Sequence, residues 1–261
     1  MTHGLRVTFL GSGSGGNATL VTSGATAVLV DCGFSARETC RRLAEAGADP
    51  YRLSAVFLTH EHVDHVSGVR VLAKRTGTRV FASDGTADAA RLPGFGVDHE
   101  RLREGVPVRI GDLTVLPLAV SHDAAEPLGF VFETVDGTRL GLVTDTGTFT
   151  ASMFEALAGC HVLALETNHD LDMLARGPYP WPLKRRISSA VGHLSNDDAA
   201  AAVTALAHDG LRAVVGVHVS GTNNTHGLAA VALRRAMRET GLAAKTLVAA
   251  QDDLVWHDCC M

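Results

Sequence analysis

Four side chains of the kind that bind metal ions lie close together in the segment THEHVDH, at His60, His62, Asp64 and His65. The segment follows the apolar run Ala55–Leu58, which predicts a short buried strand. Because side chains alternate along a strand, His60 and His62 face the same side. Asp64 and His65, at the start of a helix, reach a second point nearby. Imidazole combined with carboxylate suits zinc, manganese or iron. The spacing therefore predicts a centre for two metal ions, and the alternative is a solvated loop with unrelated histidines.

A glycine-rich segment, Gly11–Gly16, fits the G-x-G-x-x-G pattern after a predicted strand, and Asp31 lies near the distance that a dinucleotide-binding fold requires. That chemistry needs a helix N-terminus at the pyrophosphate. Asn17–Val30 is instead β-branched and apolar, and it is interrupted at Thr22–Gly24, which predicts a hairpin. We interpret the glycines as a close-packed turn, with an anion site formed by backbone N–H groups as the alternative.

Length and composition restrict the class of protein. The 261 residues are 46% hydrophobic and 20% charged, which allows a large core and excludes disorder as the main state. The net charge of −5 argues against coating nucleic acid by bulk charge, but a local basic groove stays possible. We expect a cytoplasmic protein, because there is no apolar run of membrane-spanning length and no signal-peptide pattern. Five cysteines without a CxxC pair are typical of reduced thiols.

The elements that must position these residues change in pattern along the chain. Strands dominate the first half, and strands alternate with helices in the second half. One long helix is expected from Asp64 to Lys74 or Arg75. Two sheets packed face to face, with helices outside each, would bury all the apolar faces. Further helices are predicted at Ala36–Ala46, Phe149–Leu157, Asn196–His208 and Leu228–Glu239.

The THEHVDH segment resembles the HxHxDH motif of the metallo-β-lactamase fold superfamily. Other segments resemble the family's remaining motifs in the same order: Gly11–Asn17 with Leu29–Gly33, Ser121–Asp123, Thr144–Gly147 and Val217–Ser220. The resemblance implies an α/β fold, an αββα sandwich with metals at one edge of its two sheets. We expect one such domain over residues 1–261. The stretch between Asp145 and His218 is too short for the long β-CASP insertion of larger nucleases.

The same resemblance implies two ligand sets with a bridging aspartate: His60, His62 and His122; Asp64, His65 and His218; and Asp145 between them. The positions of His122 and Asp145 agree with this, because each follows an apolar strand and precedes small or polar residues, as site loops often do. Asp31 also ends a strand, and we interpret it as a carboxylate that orients a ligand histidine.

Gly192–Ser195 and Leu165–Thr167 resemble elements of tRNA-processing nucleases of this fold, in which a glutamate orients a proton-donating histidine. The corresponding pair here is Glu166 and His193, and the implied catalytic set is Asp64, His193 and Glu166. A metal-activated hydroxide would attack phosphorus while His193 protonates the departing oxygen. The alternative is that His193 is the last metal ligand and His218 is structural.

Several longer stretches, including LGSGSGGNATLV and ETNHDLDMLARGPYPWPLKRRI, are similar to the YycJ/WalJ-like group of the same superfamily. The similarity implies DNA exonuclease activity, two divalent ions (manganese or zinc) and a link to DNA repair. Scarce aromatics lie beside cations in this region, which suits unpaired nucleic acid. The candidate substrate-binding residues are Tyr179, Trp181, Lys184, Arg185, Arg186 and His169. A Pro-rich lid with a solvated helix face is the alternative.

Two other functions stay open at this point. A small-molecule hydrolase of the same fold, either a cyclic-nucleotide phosphodiesterase or a thioesterase, uses a similar metal centre. The Glu166–His193 pair argues against the thioesterase, because a thiolate leaves with little need of a proton. A non-enzymatic binding protein is disfavoured by the intact ligand set. The basic run Arg70–Arg79 is interpreted as a solvated helix face.

Overall fold

Two seven-stranded sheets stack face to face in the computed structural model, which describes residues 4–259. The first sheet has the order β14-β1-β2-β3-β4-β5-β6. Its strands are β1 Leu5–Gly11, β2 Ala18–Ser23, β3 Thr26–Val30, β4 Ala55–Phe57, β5 Val80–Ala82, β6 His99–Arg101 and β14 Val255–Asp258. The strands from β14 to β3 pair antiparallel, and those from β3 to β6 pair parallel.

The second sheet has the order β13-β12-β11-β10-β9-β8-β7. Its strands are β7 Val108–Ile110, β8 Leu113–Ala119, β9 Leu128–Thr134, β10 Arg139–Val143, β11 Val162–Glu166, β12 Ala213–Val217 and β13 Lys245–Val248. The strands from β7 to β10 pair antiparallel, and those from β10 to β13 pair parallel. Parallel strands place their carboxyl ends at one edge, so each sheet contributes several strand ends to a shared edge.

Helices cover the outer faces of both sheets. Between the sheets, Phe57, Phe130 and Phe132 are fully buried and pack edge to face, at about 1.5–3 kcal/mol for each buried side chain. Separate apolar layers lie under the helices, around Leu72 on the first sheet and Leu233 on the second. The predicted αββα sandwich is therefore confirmed. The helices are α1 Ala36–Glu45, α2 Val63–Val66, α3 Val69–Thr76, α4 Asp84–Ala89, α5 Ala151–Leu157, α6 Leu171–Arg176, α7 Trp181–Ile187, α8 Asn196–Leu206 and α9 His226–Thr240.

The expectation of one continuous helix from Asp64 to Arg75 is wrong. The chain forms two helices, α2 and α3, that are separated at Ser67 and Gly68. Gly68 packs so tightly that a Cβ atom would lie 2.3 Å from the carbonyl oxygen of Phe34. The break lets the short helix α2 follow the site edge while α3 turns to cover the sheet.

The glycine segment is a turn and is not followed by a helix. The predicted hairpin is confirmed, because β2 and β3 pair antiparallel on either side of a tight turn. The backbone N–H groups of Gly13 and Gly15 donate to Asn17 Oδ1 (2.9 Å) and Gln251 Oε1 (2.8 Å). A Cβ atom on Gly11 would lie 2.4 Å from the Phe34 ring. The close-packed turn is confirmed, and these two N–H groups already have acceptors within the protein.

Within the described part of the chain, no helix is both long and apolar enough to cross a membrane. Cys32, Cys40 and Cys160 form no disulfide within residues 4–259. Cys260 lies outside the described residues.

Candidate active site

The strand ends of both sheets bring the motif residues to one edge. His60 follows β4, Asp145 follows β10 and His218 follows β12. Asp31, Asp145 and His218 adopt left-handed backbone conformations, with φ values of 60°, 51° and 53°. Such conformations cost a non-glycine residue about 1–3 kcal/mol and cluster at functional sites. The strain is therefore concentrated at the residues that direct carboxylate and imidazole groups into this edge.

The first ligand cluster consists of His60, His62 and His122, whose nitrogen atoms lie within 4.8 Å of one another. His122 Nδ1 lies 2.9 Å from the carbonyl oxygen of Gly192, so Nδ1 donates and Nε2 faces the cluster. Nε2 of His122 is 3.3 Å from His62 Nδ1. Burial lowers the pKa of both His60 and His122, which favours the neutral ring that metal ligation requires.

The second cluster consists of Asp64, His65 and His218. Nε2 of His65 and Nε2 of His218 each lie 3.5 Å from Asp64 Oδ2. His65 Nδ1 is 2.8 Å from Asp31 Oδ2, and Thr59 donates to the same carboxylate through its backbone N–H and its hydroxyl. Asp31 therefore holds the His65 ring with Nε2 directed at the cluster, which is the geometry expected for a carboxylate behind a ligand histidine.

Asp145 lies between the two clusters. Its Oδ2 is 3.3 Å from His65 Nε2, and its Oδ1 is 3.9 Å from His122 Nε2 and 3.0 Å from His218 Nδ1. Burial opposes ionisation of Asp145, but attraction to His218 and His65 outweighs it and keeps its pKa well below the usual value. Burial opposes the charged forms of His65 and His218, but Asp145 outweighs it and raises the pKa values of both, together with Asp31 for His65 and with Asp64 and Glu166 for His218. The site thus stabilises positive charge.

The residues present fit a divalent metal ion. Nε2 of His60 and Nε2 of His218 are buried and have no hydrogen-bond partner within residues 4–259. A buried imidazole nitrogen without a partner costs free energy unless a ligand satisfies it. Both atoms belong to clusters of imidazole and carboxylate donors, the combination that binds transition metals.

A buried carboxylate, Glu166, connects this edge to His193. Its Oε1 lies 2.7 Å from His193 Nδ1, and its Oε2 accepts from the backbone N–H groups of Thr146 (2.8 Å) and Leu194 (3.1 Å). Burial raises the pKa of Glu166, but His193 and the hydrogen bonds outweigh burial and lower it to about 2. Burial likewise opposes the charged form of His193, whereas the Glu166 carboxylate raises its pKa overall.

The geometry bears on the choice between His193 and His218 as metal ligand. His218 is buried, and its unpartnered Nε2 lies in the Asp64 cluster. The side chain of His193 is 21% exposed, and it lines the cleft in front of the clusters. His218 therefore lies deeper in the site than His193, although both belong to a group with Asp145 and Glu166 that could hold a metal ion.

The cleft has a volume of about 220 Å³. Its wall includes residues that the sequence analysis did not assign to the site: Ser14, Asp123, Asn168, Ser220 and Asn223. The side chain of Asn223 is 1% exposed, and its Oδ1 has no partner within the described chain. A sequence signal was present, because these residues occur in or directly beside the family-like motifs. The sequence does not show which of these side chains face the cleft, because the cleft forms between loops that are remote from one another in the chain.

The residues of the candidate substrate segment line two neighbouring surfaces, the cleft and a recess beside it. Tyr179 and Arg186 line the cleft, and Arg186 forms an ion pair with Asp123. Trp181 and Arg185 line a neighbouring surface recess, where Trp181 is 69% exposed. Lys184 Nζ donates to the carbonyl oxygen of Ala175 at 2.7 Å. The segment therefore borders the cleft with some of its predicted residues and faces solvent with others.

The expected position of His169 in this cleft is not met. Its side chain is buried, with 1% exposure, and the cleft wall does not include it. His169 instead forms a β-bridge with Ser195 behind the wall. The sequence alone does not indicate that this ring is buried.

Comparison with known proteins was made on the sequence and on the fold. Residues 26–219 match the family model described as beta-lactamase superfamily domain. The chain is 35% identical over 241 residues to exodeoxyribonuclease YycJ of Bacillus anthracis, covering 91% of each protein. It is 34% identical over 231 residues to exodeoxyribonuclease WalJ of Streptococcus pneumoniae, covering 87% of this chain and 86% of that protein.

Among solved structures, the metallo-beta-lactamase fold protein YhfI of Bacillus subtilis superposes with a TM-score of 0.73 at 18% identity. The superposition covers 97% of this chain and 100% of that one. At this identity the match concerns the fold, which both chains share across almost their whole length.

Proposed function

We propose that this chain, which belongs to the beta-lactamase superfamily, is a metal-dependent hydrolase that cleaves phosphodiester bonds of nucleic acid, as a DNA exonuclease. The observation that carries the proposal is the Glu166–His193 pair, 2.7 Å apart beside the metal-ligand clusters. A phosphodiester differs from a thioester in needing a proton on its leaving oxygen, and this pair supplies one. The exodeoxyribonuclease relatives in Bacillus anthracis and Streptococcus pneumoniae support DNA as the substrate.

The proposal includes two divalent transition-metal ions, manganese or zinc, per chain. The residues that would hold them are His60, His62 and His122 for one ion, Asp64, His65 and His218 for the other, and Asp145 for both. When bound, the ions supply Lewis acidity, which polarises the phosphodiester and makes water nucleophilic at neutral pH.

The role proposed for His193 follows from its hydrogen bond. Glu166 accepts from Nδ1, which fixes the ring orientation and favours the imidazolium form. The other ring nitrogen then holds a proton at the cleft and transfers it to the departing oxygen. General acid catalysis of this kind contributes about 10²–10⁴-fold to the rate. Asp64, which also lines the cleft, completes the catalytic set with His193 and its orienting partner Glu166.

Substrate contacts are assigned to the segment around α7. Tyr179 offers a ring at the cleft, and Arg186 offers a guanidinium group that Asp123 positions. The nearby recess of Trp181 and Arg185 would take the next, unpaired nucleotide by stacking and charge. Lys184, whose ammonium already binds a carbonyl oxygen, adds positive charge to the same flank. We propose a cytoplasmic location for the enzyme, because its buried cysteines Cys32 and Cys160 are free thiols.

The test uses protein reconstituted with manganese or zinc and end-labelled single- and double-stranded DNA and RNA. A cyclic nucleotide and a thioester are assayed in parallel. We expect DNA to shorten progressively from an end, and an Asp145→Ala variant purified in the same way to be inactive, which excludes a contaminating nuclease. Turnover of the cyclic nucleotide or the thioester, with no cleavage of any polymer, would overturn the proposal.

A further inference from the structure

The exposed face of α3 carries three cations around one apolar side chain. Arg70, Lys74 and Arg75 lie on the same side of the helix as Val71, which is 60% exposed. The opposite side packs on the first sheet through buried residues such as Leu72. With 3.6 residues per turn, positions 70, 71, 74 and 75 form one continuous arc of the helix surface.

An aromatic ring flanks this arc on each side. The guanidinium carbon of Arg70 lies 3.8 Å from the ring centroid of Phe95, and Arg75 Nε donates to the hydroxyl of Tyr51 at 3.0 Å. Both rings are accessible, with Phe95 46% and Tyr51 57% exposed. We call this region the α3 surface, and it consists of Tyr51, Arg70, Val71, Lys74, Arg75 and Phe95.

The positive charge of the α3 surface is not neutralised by ion pairs among the described residues. No carboxylate within residues 4–259 pairs with Arg70, Lys74 or Arg75, although several other arginines of the chain have such partners. A cluster of unpaired cations is notable in a chain with a net charge of −5. Cations interleaved with exposed rings match a ligand that has both phosphates and bases.

The α3 surface begins close to the metal edge. His65 belongs to the second ligand cluster, and Arg70 follows it by five residues. From Arg70 to Arg75 the helix axis advances about 7.5 Å. His62 lines the cleft, and the next residue, Val63, is 75% exposed. Along the chain, Arg70 is therefore the cation of the α3 surface nearest the ligand residues, and Lys74 and Arg75 follow it on the same helix.

We propose that the α3 surface binds the phosphodiester backbone of the nucleic acid whose end occupies the cleft. This inference rests on the proposed function, and it adds an anchoring surface outside the cleft. Phosphates contact the three cations, and exposed bases stack on Tyr51 and Phe95. The anchor would make affinity depend on substrate length while leaving the chemistry of the bound end unchanged.

The experiment compares the triple variant Arg70→Gln/Lys74→Gln/Arg75→Gln with a matched control, Arg234→Gln/Arg238→Gln/Lys245→Gln. The control removes the same number of cations, all of them exposed and none with a carboxylate partner in the described chain. Binding to long DNA is measured as a function of salt concentration, separately for single- and double-stranded DNA. A metal ion that does not support cleavage is present, so that the DNA stays intact. Turnover of a dinucleotide is measured with manganese. Thermal unfolding verifies that both variants are folded.

We expect the α3 variant to bind long DNA at least about tenfold more weakly, with a salt slope smaller by about 2–3, because three phosphate contacts are lost. Dinucleotide turnover and the control variant should match the unaltered protein. The single- and double-stranded arms identify which form of the backbone the surface prefers. Unchanged affinity for both forms of DNA would overturn the inference.

The two proposals fail separately. If the unaltered protein cleaves DNA and the α3 variant behaves identically at every length, only the anchoring surface is wrong. A second outcome is that the unaltered protein cleaves no nucleic acid but binds DNA in a salt-sensitive manner. If the control variant keeps this binding and the α3 variant loses it, the α3 surface is supported and the proposed hydrolysis is wrong.

Discussion

Glu166, whose side chain is 0% exposed, accepts at Oε1 a hydrogen bond from His193 Nδ1 at 2.7 Å. The same oxygen lies 3.0 Å from His218 Nδ1. One buried carboxylate therefore orients both a histidine that faces the cleft and a histidine that faces the metal-ligand cluster. The two histidines differ in exposure, and this difference separates their proposed roles.

His193→Ala should slow cleavage of DNA by about 10²–10⁴-fold, because the departing alkoxide loses its proton donor. It should retain its metal ions. Hydrolysis of a nitrophenyl phosphodiester should change little, since nitrophenolate leaves without a proton. Comparing kcat for the two substrates measures this effect. Equal losses on both would mean that His193 supports the structure of the site.

Asp145→Ala should bind less metal than the unaltered protein, because its carboxylate faces both ligand clusters. Elemental analysis of protein purified without chelator should give two equivalents for the unaltered chain and at most one for the variant. His218→Ala should lose one equivalent, whereas His193→Ala should lose none. The reverse pattern for the two histidines would exchange their roles.

Asp31→Asn should weaken metal binding by about 10–100-fold, because the neutral amide holds the His65 ring less firmly and makes it a poorer donor. Competition with a chromogenic chelator measures the affinity. Asp112→Asn, at the turn between β7 and β8, is the control. Undiminished affinity in the Asp31 variant would contradict the orienting role.

The combined substitution of Trp181, Lys184, Arg185 and Arg186 by Ala should weaken oligonucleotide binding and flatten its salt dependence. The reason is that this flank holds the strand near the scissile phosphate. Hydrolysis of a small phosphodiester should hardly change. Equal loss on both substrates would mean that α7 supports the metal site, and no loss on either would make it a solvated face.

Arg42→Leu should destabilise the fold by about 3 kcal/mol. The buried guanidinium donates to the carbonyl oxygens of Leu10 and Gln251, both at 2.7 Å, and thereby joins β1 to the C-terminal segment beside the glycine turn. Its exposed neighbour Arg41 forms ion pairs with the surface carboxylates of Glu38 and Glu45, so Arg41→Leu should cost less than about 1 kcal/mol. Urea unfolding of the two variants measures the difference in the free energy of unfolding. Equal losses would contradict the role of Arg42 in joining β1 to the C-terminal segment.

The amino-acid sequence by itself determined the sandwich architecture and the set of potential ligands. Strand patterns depend on local periodicity, and parallel strands necessarily bring their ends to one edge. The resemblance of the motifs to a known family assigned His60, Asp145 and His218 to one site, and their positions after apolar runs agree with that assignment. The hairpin after the glycine turn was predictable for the same reason, because turn residues and β-branched runs are local signals.

Only the tertiary structure decided which neighbouring side chains enter the cleft. Tyr179 faces the cleft while Trp181 faces a separate recess, and His169 is buried although it lies next to a cleft residue, Asn168. The break between α2 and α3 has a similar origin, because Gly68 packs against a residue from a distant loop. These outcomes depend on contacts between segments remote in sequence, and such contacts leave no local periodicity from which they can be predicted.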